Sequence, residues 1–117
     1  SMVKYGKYVI EQRAIPDFRD GLKPVQRRIL FAMYHLGLHH NRGFVKSARV
    51  CGEVMGKYHP HGSMAIYQTA VNMVNASTSM IEGSGNWGWY DDPAAADRYT
   101  ECRLSKFSDV VLNPPLS

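Results

Sequence analysis

A helix cannot run through Tyr58-His59-Pro60-His61-Gly62, because the ring of Pro60 disfavours helical backbone at the residue before it. Helical periodicity nevertheless stands on both sides of this break. Before it, Lys46-Ser47 opens a segment with Ser47 as its expected N-cap, and Ala48, Cys51, Met55 and Tyr58 mark the expected buried face. After it, Ser63 is the expected cap of a segment whose core stripe is Ile66, Ala70, Met73 and Val74, ending across Asn75 to Ser79. Two helices joined by a tight turn of basic and glycine residues outline a helix-turn-helix, whose second helix enters a DNA major groove.

The clearest helix lies upstream. Val25, Ile29, Met33 and Leu36 form one apolar stripe, Pro24 suits the first helical position and Gly37 supplies a stop. Arg27 and Arg28 project from its first turns, where they oppose the helix dipole, a mild cost that an anionic ligand would relieve. Ahead of it, Val3 to Arg13 reads as a short amphipathic helix and Ile15 to Pro24 as a turn-rich connection. Leu38 to Phe44, with His39, His40, Asn41, Arg42 and Gly43, has no periodicity and reads as a loop. Beyond Met80, Gly83, Gly85 and Gly88 surround Asn86 among Trp87, Trp89 and Tyr90, which predicts tight turns and short extended segments, a wing. Asp91-Asp92-Pro93 is a further turn, and Cys102 to Leu112 is helix or strand. The expected fold is mainly α with a small β wing: an α+β, winged-helix domain containing a helix-turn-helix.

With 117 residues, 44% of them hydrophobic, the chain can bury one compact core and is too short for two ordinary domains. Fourteen Lys and Arg against ten Asp and Glu leave a net charge of +4, which favours an anionic partner. Cys51 and Cys102 form no C-x-x-C, so reduced thiols in a cytoplasmic protein are expected. No apolar run approaches the roughly 18 residues of a membrane span, and no signal-peptide pattern opens the chain. Ser1-Met2 and the unclosed ending at Asn113 to Ser117 suggest a piece excised from a longer protein.

Chemistry concentrates in Asp97-Arg98-Tyr99-Thr100-Glu101. A tyrosine hydroxyl, with a pKa of about 10, needs a neighbouring base or cation before it can attack. Arg98 is such a cation, and it could also stabilise charge developing on phosphate oxygens. Histidine is the commonest metal ligand, so His59-Pro60-His61 admits a metal site, yet no Cys or carboxylate lies within local ligand spacing, and phosphate contact is the better reading. Trp87, Trp89 and Tyr90 admit base stacking, with core packing of the wing as the better reading. A regulator that binds DNA without chemistry is the alternative function, though it would have no need of Arg-Tyr-Thr-Glu.

The segments Arg13-Ala14-Ile15-Pro16-Asp17, Arg19 to Arg28, Lys46-Ser47-Ala48-Arg49-Val50, Gly56 to Gly62, Gly85-Asn86-Trp87-Gly88 and Arg98-Tyr99-Thr100-Glu101 closely resemble the DNA breakage-reunion subunit of bacterial type IIA topoisomerases, in family order. Trp87, Asp91-Asp92-Pro93 and Arg103-Leu104-Ser105-Lys106 lean towards the cleavage subunit of topoisomerase IV rather than that of gyrase. The resemblance implies a winged-helix domain of the catabolite-activator type whose tyrosine attacks a DNA phosphodiester, leaving a 5′-phosphotyrosyl link and a free 3′-hydroxyl. Tyr99 matches that tyrosine and Arg98 the transition-state stabiliser. Lys23, His59 and His61 match DNA-contacting positions, and Arg13, Arg27 and Arg28 the basic lining of the cleavage site. Lys46 and Arg49, in the matching segment, are assigned to DNA as well.

The resemblance also implies duplex DNA as substrate, a homodimer of the cleavage subunit, and an ATPase-Toprim partner that binds ATP and holds the Mg²⁺ of cleavage. Asp91 and Asp92 read as a solvated turn, not as metal ligands. The tower that bends DNA, the exit gate and a C-terminal domain would lie beyond Ser117, so residues 1–117 are expected to be inactive alone, in a cytoplasmic, nucleoid-associated enzyme. A decoy acting on a topoisomerase is a further alternative. This chain departs from the family pattern in two places. Ser63 and Met64 stand where an acidic residue and Ser or Thr usually follow His-Pro-His-Gly, and Asp97 stands beside Arg98, where it could pair with the guanidinium. In similar enzymes that Ser or Thr and an acidic residue four positions on anchor the water-metal bridge of fluoroquinolones; here those positions are Met64 and Gln68.

Overall fold

The computed structural model describes residues 22–57 and 62–112. In chain order these form helix α1 (Pro24–His35), strand β1 (Val45–Lys46), helix α2 (Ser47–Lys57), helix α3 (Ser63–Asn75), strands β2 (Ile81–Ser84) and β3 (Glu101–Leu104), and helix α4 (Lys106–Leu112). This is an α+β fold of the winged-helix kind, with a helical unit followed by a small antiparallel sheet. The helix expected at Val3 to Arg13, and Tyr58, His59 and His61 of the interhelical break, lie outside the described residues.

Local chemistry sets both ends of α1. Pro24 takes the first helical position, and the Lys23 N–H donates to Gln26 Oε1 at 2.8 Å, closing the first turn. At the other end Gly37 has φ +74°, the left-handed conformation that glycine adopts without a Cβ penalty. The Leu38 N–H then reaches Met33 O and the Gly37 N–H reaches Tyr34 O, each at 3.0 Å, while Leu38 and Met33 are both buried. The stripe deepens to Ile29, Leu30, Ala32 and Met33, each fully buried, with Val25 and Leu36 packed at its margins. Arg27 folds back so that Nη1 donates to Leu22 O at 2.6 Å, which commits one of the two first-turn arginines to the helix's own entry.

α2 and α3 pack against each other and α1 packs against both, as a helix-turn-helix with a supporting helix requires. Both expected caps are corrected. Ser47 is already helical and buried, and its hydroxyl bonds Thr100 rather than its own helix; Ser63 is likewise helical, with Gly62 at the cap. On α2 Cys51 is buried as expected, joined by Ser47, Val50 and Val54, whereas Ala48 is only half-buried and Met55 is exposed; Tyr58 lies outside the described residues. On α3, Ile66, Ala70 and Met73 are buried as expected, joined by Val71, with Val74 at the margin.

β3 is the central strand of the sheet, order β1-β3-β2, pairing antiparallel with both neighbours. Cys102 to Leu112 thus proves to be both strand and helix, and the two-residue β1 follows directly on the segment read as loop. Cys102 and Leu104 point inward and Glu101 and Arg103 lie nearer the surface, the period of two that a half-buried strand imposes. The side of β2 at Gly83 is filled by Trp87. A Cβ on Gly83 would meet the Trp87 ring nitrogen inside any allowed contact, and that indole is buried and bonded through Nε1 to Ser84 O at 3.1 Å. Gly83→Ala is therefore expected to destabilise the chain by roughly 1–3 kcal/mol, the cost of overpacking a filled core, read as a lowered urea midpoint.

The aperiodic loop before β1 is held by its partners. Asp109 of α4 accepts from the His40 N–H at 2.6 Å and pairs with His39 Nδ1 at 2.8 Å. Arg103 donates from Nε to Glu82 Oε1 at 2.8 Å and from Nη1 to Arg42 O at 2.7 Å, and lies 4.2 Å from the Phe44 ring centroid. Among the described residues no helix is long and apolar enough to cross a membrane.

Candidate active site

Tyr99 ends a tight turn immediately before β3, with its N–H bonded to Ala96 O at 2.9 Å. It is 62% exposed, while the next residue, Thr100, is fully buried. Alternation along the strand entry thus turns the phenol outward by turning the threonine in. The Ser47 and Ala48 N–H groups, two of the donors that a helix N-terminus leaves unpaired, bond Thr100 O at 3.0 Å and Asp97 O at 3.1 Å. The turn that carries Tyr99 therefore caps α2.

Side chains lock the same joint. Tyr67 of α3 donates its hydroxyl to Ala95 O at 2.6 Å, which leaves its oxygen to accept from Thr100 Oγ1 at 2.9 Å. Thr100 in turn accepts from Ser47 Oγ at 2.8 Å. One chain of hydrogen bonds, Ser47 to Thr100 to Tyr67 to Ala95, ties α2, α3 and both flanks of the Tyr99 turn, and each bond polarises the next. Burial pushes the Tyr67 hydroxyl above the ordinary phenol range, with the Thr100 bond opposing the shift. Tyr67 thus stays a protonated strut.

The Arg98 guanidinium lies over the Tyr99 ring, 4.6 Å from its centroid. This mutual stacking holds a permanent cation beside the phenol in solvent, where a phosphate can reach both. Among the described residues no ion pair joins the Asp97 carboxylate to Arg98, and the Asp97 backbone carbonyl accepts from the Ala48 N–H of α2. Lys46, opposite Glu101 in the sheet, pairs with it at 3.6 Å. Lys46 and Arg49, both exposed, border the turn, because β1 and the first turn of α2 join it directly. Lys23, Arg27 and Arg28 stand at the start of α1, which packs on α2. Arg13, His59 and His61 lie outside the described residues.

Sequence reasoning missed the Ser47, Thr100 and Tyr67 joint altogether. The available signal was polar residues at core spacing: Ser47 three residues before Val50, and Thr100 two before Cys102. The aromatic cluster divides. Trp87 is buried, 5.7 Å from the Tyr67 ring centroid, whereas Trp89 and Tyr90 are 71% and 89% exposed. Asp91 and Asp92 occupy the expected turn, closed by paired backbone bonds between Trp89 and Asp92. Among the described residues no group of three or more His, Cys, Asp or Glu side chains is arranged to hold a metal.

Neither cysteine is placed to act as a nucleophile. Burial first, then nearby Asp97, pushes the Cys51 thiol from 9.0 up to about 12, and burial pushes Cys102 up to about 11. Both folded values lie above the unfolded ones, so the thiols' contribution to stability is full below pH 9.0 and is lost as pH rises towards about 11 and 12. Urea midpoints should fall across that window. Cys51→Ala should flatten the decline, and an equal slope in the variant would remove Cys51 as its source.

The chain matches the family model that describes the A-type chain of DNA gyrase/topoisomerase IV, over residues 13–115. It is 56% identical over 116 residues to the gyrase A chain of Aminobacterium colombiense and, at the same identity and length, to that of Thermotoga maritima. It is 52% identical over 116 residues to the topoisomerase 4 A chain of Escherichia coli. These alignments cover 96% of this chain and 14% of the gyrase proteins, and 95% and 15% for the topoisomerase 4 protein. The chain thus spans about one seventh of the length of the curated relatives it matches. Overall identity gives no support to the leaning towards topoisomerase IV read from Trp87, Asp91-Asp92-Pro93 and Arg103 to Lys106.

Proposed function

Since the chain belongs to the family of DNA gyrase and topoisomerase IV A-type chains, we propose that it is the tyrosine-bearing, DNA-cleaving part of a type IIA topoisomerase. The observation that carries this reading is the exposed Tyr99 with Arg98 stacked on its ring, on a turn anchored to the core through Thr100. The Tyr99 oxygen attacks a backbone phosphorus of duplex DNA and gives up its proton. The new O–P bond forms as the bond from phosphorus to the 3′-oxygen breaks, and the 3′-oxygen leaves as a hydroxyl after taking a proton. One phosphodiester is exchanged for another, so resealing is the same step reversed and needs no energy source of its own.

Arg98 answers the negative charge that builds on the phosphate oxygens in the shared transition state. Lys46 and Arg49 beside the turn, and Lys23, Arg27 and Arg28 on α1, offer cations to flanking phosphates. The exposed face of α3, with Met64, Gln68 and Asn72, is the surface presented to the groove. Arg13, His59 and His61 are proposed to extend this phosphate-binding surface. Mg²⁺ and ATP are assigned to an ATPase-Toprim partner, as the resemblance to type IIA topoisomerases implies. The working enzyme is proposed to contain a homodimer of the cleavage subunit, to act on DNA in the cytoplasm, and to pass strands with ATP hydrolysis.

The test is to mix the full-length protein with its ATPase-Toprim partner, DNA and Mg²⁺, stop with detergent, and look for protein covalently joined to DNA 5′ ends. Protein on 3′ ends, or no adduct at all, would overturn the reading. Arg98→Ala is expected to slow cleavage and resealing together by about 10²–10³-fold, the usual cost of losing one donor to transition-state charge. Weaker DNA binding with normal single-turnover cleavage would contradict the assigned role.

A further inference from the structure

One exposed feature is not used by the cleavage chemistry. Trp89 and Tyr90 form the tip of a hairpin closed by Trp89 and Asp92, and they meet edge to face with centroids 4.7 Å apart and planes at 75°. That arrangement leaves a broad face of the pair in solvent, consistent with exposures of 71% and 89%. Tyr90 also has φ +25°, at a turn position that glycine usually takes. Local strain is tolerated where a large ring is held outward. Both rings line a groove of about 910 Å³ against α3, and Met64, Arg98 and Asp97 line the same groove.

We propose that Trp89 and Tyr90 are a stacking platform for a nucleobase of the DNA strand whose phosphate meets Tyr99. The proposal rests on reading Tyr99 as the nucleophile. Arg98 belongs both to this groove and, through its stacking, to the Tyr99 turn, so a strand with its phosphate at Tyr99 passes the groove within the reach of a nucleotide. The chemistry of the lining matches the two parts of that nucleotide. The cation comes from the nucleophile's own turn, while the hairpin offers flat apolar faces flanked by Asp92, which suits an uncharged base and repels a second phosphate. In an intact duplex both faces of each base are covered. The platform is therefore used where a base beside the break leaves the stack, a movement that severing the backbone at Tyr99 permits, and it would hold the released end near its partner for resealing.

The experiment measures binding of a labelled single-stranded oligodeoxynucleotide to this chain over a salt series, with wild type, Trp89→Phe and the double variant Trp89→Ala/Tyr90→Ala. All three keep the backbone bonds of the hairpin, and far-UV circular dichroism with urea unfolding checks the fold. The double variant should bind about tenfold more weakly or worse at every salt concentration, as loss of base stacking requires. The slope of log affinity against log salt should be unchanged, because no phosphate contact is removed. Trp89→Phe should retain most of the affinity. Undiminished affinity in the double variant, loss confined to a shallower salt slope, or no binding by wild type at low salt would each overturn the platform. So would self-association of wild type that the double variant abolishes, which would make the patch a contact between copies. If covalent adducts in the complete enzyme still depend on Tyr99 while the double variant binds normally, the platform fails and the cleavage function stands.

Discussion

Tyr99→Phe in the full-length protein should leave no detectable covalent DNA adduct in the reconstituted enzyme, while folding and DNA binding stay near wild type. The substitution removes one oxygen from an exposed ring whose hydroxyl makes no hydrogen bond among the described residues. Exposed changes of this kind usually alter stability by less than about 0.5 kcal/mol. Phenylalanine keeps a π face for Arg98, so the cation above the ring should keep its position. The Thr100 joint is one residue away and uses no atom of the phenol, so the turn should remain docked on α2. What disappears is the atom that bonds phosphorus, and no neighbouring hydroxyl can replace it: Thr100 is buried and bonded at both ends, and the Tyr67 proton is already donated to Ala95. Detergent trapping, an unfolding curve and a binding isotherm measured together separate these effects. Adducts at the wild-type level would take Tyr99 out of the mechanism.

The proposed nucleophile could be picked out of the sequence because its requirement is local: a phenol with a cation adjacent in sequence. Its positioning was not, since Ser47 and Thr100 are 53 residues apart and nothing in either segment names the other. The same contact explains the misread start of α2. A serine before an apolar stripe has the form of a cap, and a distant threonine makes it a buried helical residue instead. α1 was read well because Pro24 and Gly37 act within one turn of themselves. β1 was invisible because two residues carry no period; it exists through pairing with β3. Among the three wing aromatics, composition could not choose which ring goes inside. Gly83 makes that choice by leaving the space that Trp87 fills.

The enzyme carrying this domain should cleave DNA normally yet respond poorly to fluoroquinolones, and Met64→Ser with Gln68→Glu should restore the response. In enzymes it resembles, the drug's water-metal bridge is anchored by a hydroxyl and by a carboxylate four residues on. Met64 and Gln68 occupy those positions one helical turn apart on the open face of α3, and Met64 is 86% exposed, so geometry allows an anchor that chemistry does not supply. A thioether is a weak acceptor, and a neutral amide lacks the charge that strengthens a hydrogen bond to metal-bound water. The Gln68 amide is also engaged, donating to Asn72 Oδ1 at 3.2 Å. Ser63 does not substitute for the missing hydroxyl. It is the first helical residue of α3, so its side chain points about 100° away from that of Met64. Both replacements sit outside the buried core, at Met64 and at the outward-facing Gln68, so the double variant should fold as wild type does. One recovered charge-assisted hydrogen bond is worth about 1.5–3 kcal/mol, which predicts a gain of roughly tenfold or more in drug sensitivity. The measurement is a titration of drug-stabilised cleavage complexes with both enzymes. Strong trapping of the wild type at concentrations that saturate a sensitive relative would refute the expectation.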